Sequence, residues 1–102
     1  MTAEHKAPDF LAHHKGDVVA VAVRDLEPGA VEGGYLREAD IVQLDLLDSV
    51  PLGHKLALVD LEAGADVTEY GLTIGVTTAK IARGSYVHTH NVRSARWQNS
   101  VA

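Results

Sequence analysis

The sequence predicts an all-β domain of short strands with little helix. Three observations point there. Apolar residues come in short runs rich in Val and Ile. Glycine-bearing turn signals recur between those runs, and sustained helical periodicity is weak. At 102 residues the chain is one domain with a thin core. Aromatic side chains make up 5 % of it, so Val, Leu, Ile and Ala must fill the interior.

Residues 1–9 hold Pro8 and several polar side chains and are expected to form a mobile lead-in. The domain proper is expected over 10–97, with a tail at 98–102. Val18 to Val23 is a continuous apolar run that suits a strand buried on both faces. Ile41 to Leu47 alternates, with Val42, Leu44 and Leu46 on one face and Gln43 and Asp45 on the other. Further short strands are expected at Leu56–Val59, Val67–Tyr70, Ile74–Thr78 and Tyr86–His90. Ala79 to Ala82 has room for one helical turn.

A local pattern repeats three times. Leu26-Glu27-Pro28-Gly29-Ala30-Val31 is echoed by Leu61-Glu62-Ala63-Gly64-Ala65-Asp66-Val67 and by Ile81-Ala82-Arg83-Gly84-Ser85-Tyr86-Val87. Each is an aliphatic residue, two spacers, a glycine, then a return to Val. The glycine suits the positive-φ position of a turn, and the aliphatic residues pin the turn to the core. The repeats are too short and unevenly spaced for a solenoid.

Charge is divided along the chain. The first 69 residues carry 5 basic and all 14 acidic side chains; the last 33 carry 4 basic and no acidic ones. Within that basic part lies Val87-His88-Thr89-His90-Asn91. In a strand, His88 and His90 would project from one face roughly 7 Å apart. Asn91 and Arg93 would share the other face. Two histidines among cations suggest a site for an anion.

Several classes are excluded or disfavoured. There is no Cys, hence no disulfide framework or thiolate chemistry. The net charge of −5 argues against non-specific nucleic-acid binding. No apolar run approaches the ~20 residues of a membrane span. The start of the chain lacks a signal-peptide pattern, so a cytoplasmic location is expected. Gly33-Gly34 lacks the rest of a nucleotide fingerprint. There is no G-x-S-x-G elbow, and Ser49, Ser85 and Ser94 have no evident triad.

The corners, taken with Pro51-Leu52-Gly53-His54-Lys55-Leu56-Ala57-Leu58, Asp60-Leu61-Glu62-Ala63-Gly64, Glu69-Tyr70-Gly71, Ile74-Gly75 and Ala79-Lys80-Ile81-Ala82-Arg83-Gly84 leading into Val87-His88-Thr89-His90-Asn91, resemble a known family. It is the SAF domain, with a β-clip fold, of the altronate/galactarate dehydratase family. The resemblance covers roughly residues 9–97. Phe10-Leu11-Ala12-His13-His14-Lys15-Gly16-Asp17 and Arg93-Ser94-Ala95-Arg96-Trp97 lean toward the free-standing small subunits of sulfolactate sulfo-lyases within it.

This resemblance implies a lyase that removes a β-substituent, water or sulfite, from an anionic 2-hydroxy acid. A base takes the C2 proton, the C3 group departs, and the enol becomes a 2-keto acid. Cations or a metal must stabilise the enediolate. The family implies a divalent metal, usually Fe2+, held mainly by a large catalytic subunit. The chain ends soon after Trp97, so that subunit is expected to be a separate chain, and the small one is not expected to act alone.

The candidate residues follow. His88 and His90 either transfer protons or ligate a metal with partner ligands; the competing explanation is packing at a domain edge. Lys55, beside His54, binds a carboxylate or sulfonate, or is a solvated strand-end lysine. Asn91 offers a donor and an acceptor to a hydroxy acid, or ends a strand. Arg93 and Arg96 fork onto an anion or pair with acids of the large subunit. Trp97 suits a docking anchor. His13 and His14 are expected at the surface. Two alternatives stay open: a binding module for a small anion or sugar without chemistry, and a purely structural subunit. A homodimer through an edge strand is also compatible with a small open β-fold.

Overall fold

The computed structural model describes residues 7–36, 40–70 and 72–94. Among these there is no helix; nine strands form two sheets. The strands are β1 (Phe10–Ala12), β2 (Val19–Ala22), β3 (Gly29–Tyr35), β4 (Ile41–Leu46), β5 (Lys55–Ala57), β6 (Asp66–Glu69), β7 (Leu72–Thr77), β8 (Tyr86–Val87) and β9 (Val92–Ser94). The larger sheet has the order β4-β3-β1-β2-β5-β8, and the smaller β6-β7-β9. All pairings are antiparallel except β1 with β3.

Three-residue β1, a strand that the local sequence pattern does not predict, joins the β3–β4 hairpin to the rest of its sheet. Phe10 is fully buried and sits opposite Gly33 in the parallel register. A Cβ at position 33 would overlap the Phe10 ring, so glycine here makes room for the largest side chain of the core. Asp9, next to β1, is also buried. Its carboxylate accepts from the Glu32 amide at 2.8 Å and pairs with the Arg24 guanidinium.

The apolar run of β2 is explained by two cores. Ala20, Ala22, Leu56 and Leu58 face one with Phe10, Leu26, Leu44, Leu46 and Val50. Val19 and Ala57 face the other with Leu61, Val67, Ile81 and Val87. The β2–β5 ladder is thus a wall with apolar side chains on both sides, as expected of Val18–Val23. The alternation in β4 is also as expected: Leu44 and Leu46 are buried, Gln43 and Asp45 exposed.

The glycine corners are present, and they come in reciprocal pairs. Leu26 exchanges two backbone hydrogen bonds with Val50, both 2.9 Å; Leu61 does the same with Ile81, both 2.8 Å. Val50-Pro51-Leu52-Gly53 is therefore a fourth corner, in addition to the three that repeat in the sequence. All four aliphatic residues are buried. All four glycines have positive φ: Gly29 at 135°, Gly53 at 84°, Gly64 at 81° and Gly84 at 90°. An aspartate staples each pair. Asp25 Oδ1 accepts from the Leu52 amide at 2.8 Å, and Asp60 Oδ1 from the Arg83 amide at 2.7 Å. The expected helical turn at 79–82 is absent because Ile81 is held in this extended bridge.

Strand β8 ends at Val87, not at His90. The amides of Asn91 and Val92 both donate to the His88 carbonyl at 3.0 Å, closing a turn over 88–91. The chain then leaves as β9 in the other sheet, so Arg93 does not lie on the back of a His88–His90 strand. The two sheets are tied by buried Asp17, whose Oδ2 accepts from the Tyr70 amide at 3.0 Å, and by the Val18 amide donating to Thr68 O at 3.0 Å.

Gly64 and Gly84 share the positive φ but not the surroundings. A Cβ at 64 meets nothing, whereas one at 84 overlaps the Asp45 carbonyl. Gly64→Ala is expected to cost about 1–2 kcal/mol from the left-handed backbone alone. Gly84→Ala should cost more, because the backbone of β4 must also move. Urea unfolding midpoints of the two variants test that ordering.

Candidate functional site

Two corners deliver the site. The Val50–Gly53 corner releases the chain into His54 and β5, and the Ile81–Gly84 corner releases it into β8. Pairing of β5 with β8 sets Lys55 opposite Val87 and Leu56 opposite Tyr86. Opposite residues of an antiparallel pair share a face. Lys55 and Val87 therefore project to one side of the sheet, and Leu56 and Tyr86 to the other. His54 stands at the end of β5, half-buried, with its amide held by Pro51 O at 2.9 Å.

On the Lys55 side lies a cleft of about 650 Å³ between the two sheets. Val67, Ile74, Val87 and Val92 give it an apolar floor. His54, Lys55, Thr78, His88, Thr89, Arg93 and Ser94 supply its polar lining. Two cationic side chains and two imidazoles thus meet a narrow apolar surface, which suits a small anion with a short carbon skeleton. Lys55 is not a fully solvated strand-end lysine: its side chain is 35 % exposed and its ammonium lies 3.8 Å from Glu69 Oε1. The Glu69 side chain is only 9 % exposed, so this carboxylate anchors the lysine at the cleft.

The histidines gather around an aromatic residue. The Tyr86 hydroxyl lies 2.6 Å from His54 Nδ1. His88 stacks on Tyr86 with ring centroids 5.5 Å apart and planes 6° apart. His54 and His88 are 5.1 Å apart, and His90 lies tilted 5.6 Å from Tyr86. His88 and His90 are therefore neighbours because both flank Tyr86 from an exposed turn, not through strand spacing. Of the two, only His88 lines the cleft. In the sequence Tyr86 stands only as the first residue of the expected Tyr86–His90 strand. Its signal in the sequence was slight: one of three tyrosines, placed two residues before His88.

Asn91 is buried, at 8 % exposure, beneath the turn. Its Oδ1 accepts from the His88 amide at 2.9 Å and its Nδ2 donates to Tyr86 O at 2.8 Å. Both ends of the amide are occupied by backbone, so Asn91 shapes the turn rather than lining the cleft. His13 stacks on Tyr70 at 3.6 Å and does not line the cleft, and His14 is exposed. Arg96 and Trp97 lie outside the described residues.

Among the described residues, no three His, Asp or Glu side chains form a group able to hold a metal ion. His54 Nδ1 already has a partner in Tyr86. The described residues thus do not by themselves fit a divalent ion. None of the described helices is long and apolar enough to cross a membrane, there being no helix.

Fold and site together define an all-β module of paired glycine corners carrying a cationic, imidazole-lined cleft at its sheet seam. A family model described as the altronate/galactarate dehydratase SAF domain matches residues 8–95. A (2R)-sulfolactate sulfo-lyase subunit alpha from Chromohalobacter salexigens is 37 % identical over 91 residues, spanning 87 % of this chain and 97 % of that one. The same-named subunit from Paracoccus pantotrophus is 44 % identical over 48 residues, 47 % of this chain and 72 % of that one. An altronate dehydratase of Escherichia coli is 41 % identical over 85 residues, 83 % of this chain but 16 % of the enzyme. The chain belongs to the altronate/galactarate dehydratase SAF-domain family.

Removing the Asn91 amide takes away the partner it gives to the part-buried His88 N–H and Tyr86 C=O. Asn91→Ala is expected to destabilise the fold by about 1–3 kcal/mol. It should also shift the ring resonances of His88 and His90, whereas His13 should be unmoved. Denaturant titration and a two-dimensional NMR spectrum of the variant check both parts.

Proposed function

We propose that this chain is the small subunit of a lyase that eliminates a β-substituent from a 2-hydroxy acid, working with a separate large subunit. The observation that carries this is its match to almost the whole length of a sulfo-lyase alpha subunit, 97 % of it. The same comparison favours a carbon–sulfur lyase over a carbon–oxygen one, since the altronate dehydratase match spans 16 % of that enzyme.

The cleft supports a division of roles. Lys55 and Arg93 bind the carboxylate and the sulfonate or hydroxyl end of the substrate as cationic hydrogen-bond donors. His54 adds a third polar contact beside Lys55. His88, exposed at the cleft, takes part in proton transfer at C2 or at the departing group. His90, outside the cleft lining, has a lesser part. Asn91 holds the turn on which both histidines ride. A divalent metal such as Fe2+ belongs mainly to the large subunit in this reading, because the described residues here lack a ligand set. The chain is accessory: it forms one wall of a site whose remaining groups lie on the partner.

Reconstitution tests the reading. The chain is combined with a family large subunit and assayed for 2-keto acid and sulfite release from (2R)-sulfolactate, with altronate in parallel. Turnover of sulfolactate that requires both chains is the expected result. Turnover of altronate alone would reassign the reaction to a hydro-lyase. A large subunit equally active without this chain would overturn the proposal. Lys55→Gln and Arg93→Gln should each raise KM about tenfold to a hundredfold, the effect of losing a charged hydrogen bond. His88→Ala should lower kcat by about a hundredfold or more, with a smaller loss for His90→Ala.

A further inference from the structure

Tyr86 lies outside the cleft yet touches the group that lines it. Its side chain projects to the opposite face of the β5–β8 ladder from Lys55 and packs partly against the larger core. From there its hydroxyl reaches around the end of β5 to His54 Nδ1, at 2.6 Å. The two nitrogens of an imidazole point nearly opposite ways, so a ring held by Nδ1 on the Tyr86 side turns Nε2 away from Tyr86. His54 lines the cleft and Tyr86 does not.

We infer that Tyr86 is a positioning residue that fixes His54 as an Nε2–H donor toward the cleft. A phenol O–H is a better donor than a neutral ring N–H, and an imidazole lone pair a better acceptor than a phenol oxygen. The favoured arrangement is therefore Tyr86 O–H donating to Nδ1, which leaves the ring proton on Nε2. The hydrogen bond made by one ring nitrogen sets the state of the other. His54 then joins Lys55 and Arg93 as a third donor, matched to an oxyanion and unsuited to a cation. The stacking of His88 on the same ring gives Tyr86 a second hold on the cleft wall. Without the hydroxyl, His54 can present either a donor or a lone pair, and only one of these suits an anion.

This rests on the cleft being the substrate site, but its first test does not need turnover. Long-range 1H–15N spectra of the full chain are recorded at about pH 8.5, where an ordinary imidazole is neutral. In the unmodified protein, His54 should show one tautomer, protonated at Nε2. In Tyr86→Phe its two nitrogens should move toward averaged values while the amide spectrum stays folded. Identical His54 nitrogens in the two proteins, or an Nδ1–H tautomer in the unmodified one, would overturn the inference whether or not the reconstituted enzyme works.

Kinetics of the reconstituted enzyme give the second test. Tyr86→Phe should raise KM for (2R)-sulfolactate about threefold to tenfold, the scale of one hydrogen bond, with kcat changed less. In a His54→Gln background, where the amide offers its donor without a tautomer, adding Tyr86→Phe should change KM less than twofold, about the range within which independent effects are read. An equal loss in both backgrounds would show that Tyr86 acts only on packing and would overturn its role through His54. If no turnover appears with any substrate, the lyase reading fails while the NMR result still decides the tautomer.

Discussion

Two reciprocal backbone bridges, Leu26 with Val50 and Leu61 with Ile81, hold the rest of the molecule in register. Each joins two glycine corners through a pair of hydrogen bonds and a pair of buried aliphatic side chains. Each is stapled by an aspartate that precedes one aliphatic residue and accepts from the backbone two positions beyond the other. Buried backbone groups must find partners, and the described residues, with no helix and six of nine strands of four residues or fewer, have few long ladders to provide them. The bridges meet that need where the chain changes direction. They explain how β5 and β8, three and two residues long, pair in one register.

The site inherits its geometry from that arrangement. His54 follows one corner and Tyr86 another, so the contact between them joins the two bridged halves of the chain. The remaining histidines come from a turn whose backbone is satisfied by Asn91. The cleft then forms where the larger sheet ends and the smaller one begins. Its apolar floor belongs to the second core, and its cationic rim includes Lys55 of the larger sheet and Arg93 of the smaller. Neither sheet alone carries the full set.

The all-β class, the doubly buried β2 and the alternating β4 were legible because hydrophobic pattern and burial agree there. The glycine corners were legible from their spacing. Other features depended on contacts distant in sequence. Phe10–Ala12 is too short to announce a strand, and it becomes one through Gly33, which lies far along the chain. The fourth corner was hidden because Leu52 is an apolar spacer and the chain after Gly53 returns to Leu56 rather than to Val. His88 and His90 stand out in the sequence as a same-face strand pair, but the strand does not continue past Val87 and both rings instead flank Tyr86 from a turn. What ends it is the Asn91 side chain, and no local propensity reveals which backbone groups a buried amide will meet. Tyr86 escaped for a related reason: its importance lies in a partner 32 positions earlier in the sequence.

The division of labour in the 88–91 turn has an evolutionary consequence. Its shape is carried by the buried amide of Asn91 and by main-chain bonds, while His88 and His90 are exposed residues whose rings rest against Tyr86 from outside. Surface side chains of this kind change at small thermodynamic cost. The two imidazoles can therefore be exchanged for other groups without rebuilding the domain beneath them. A scaffold arranged this way separates heritable foldability from heritable specificity: selection can alter what the rim recognises while the framework stays constant.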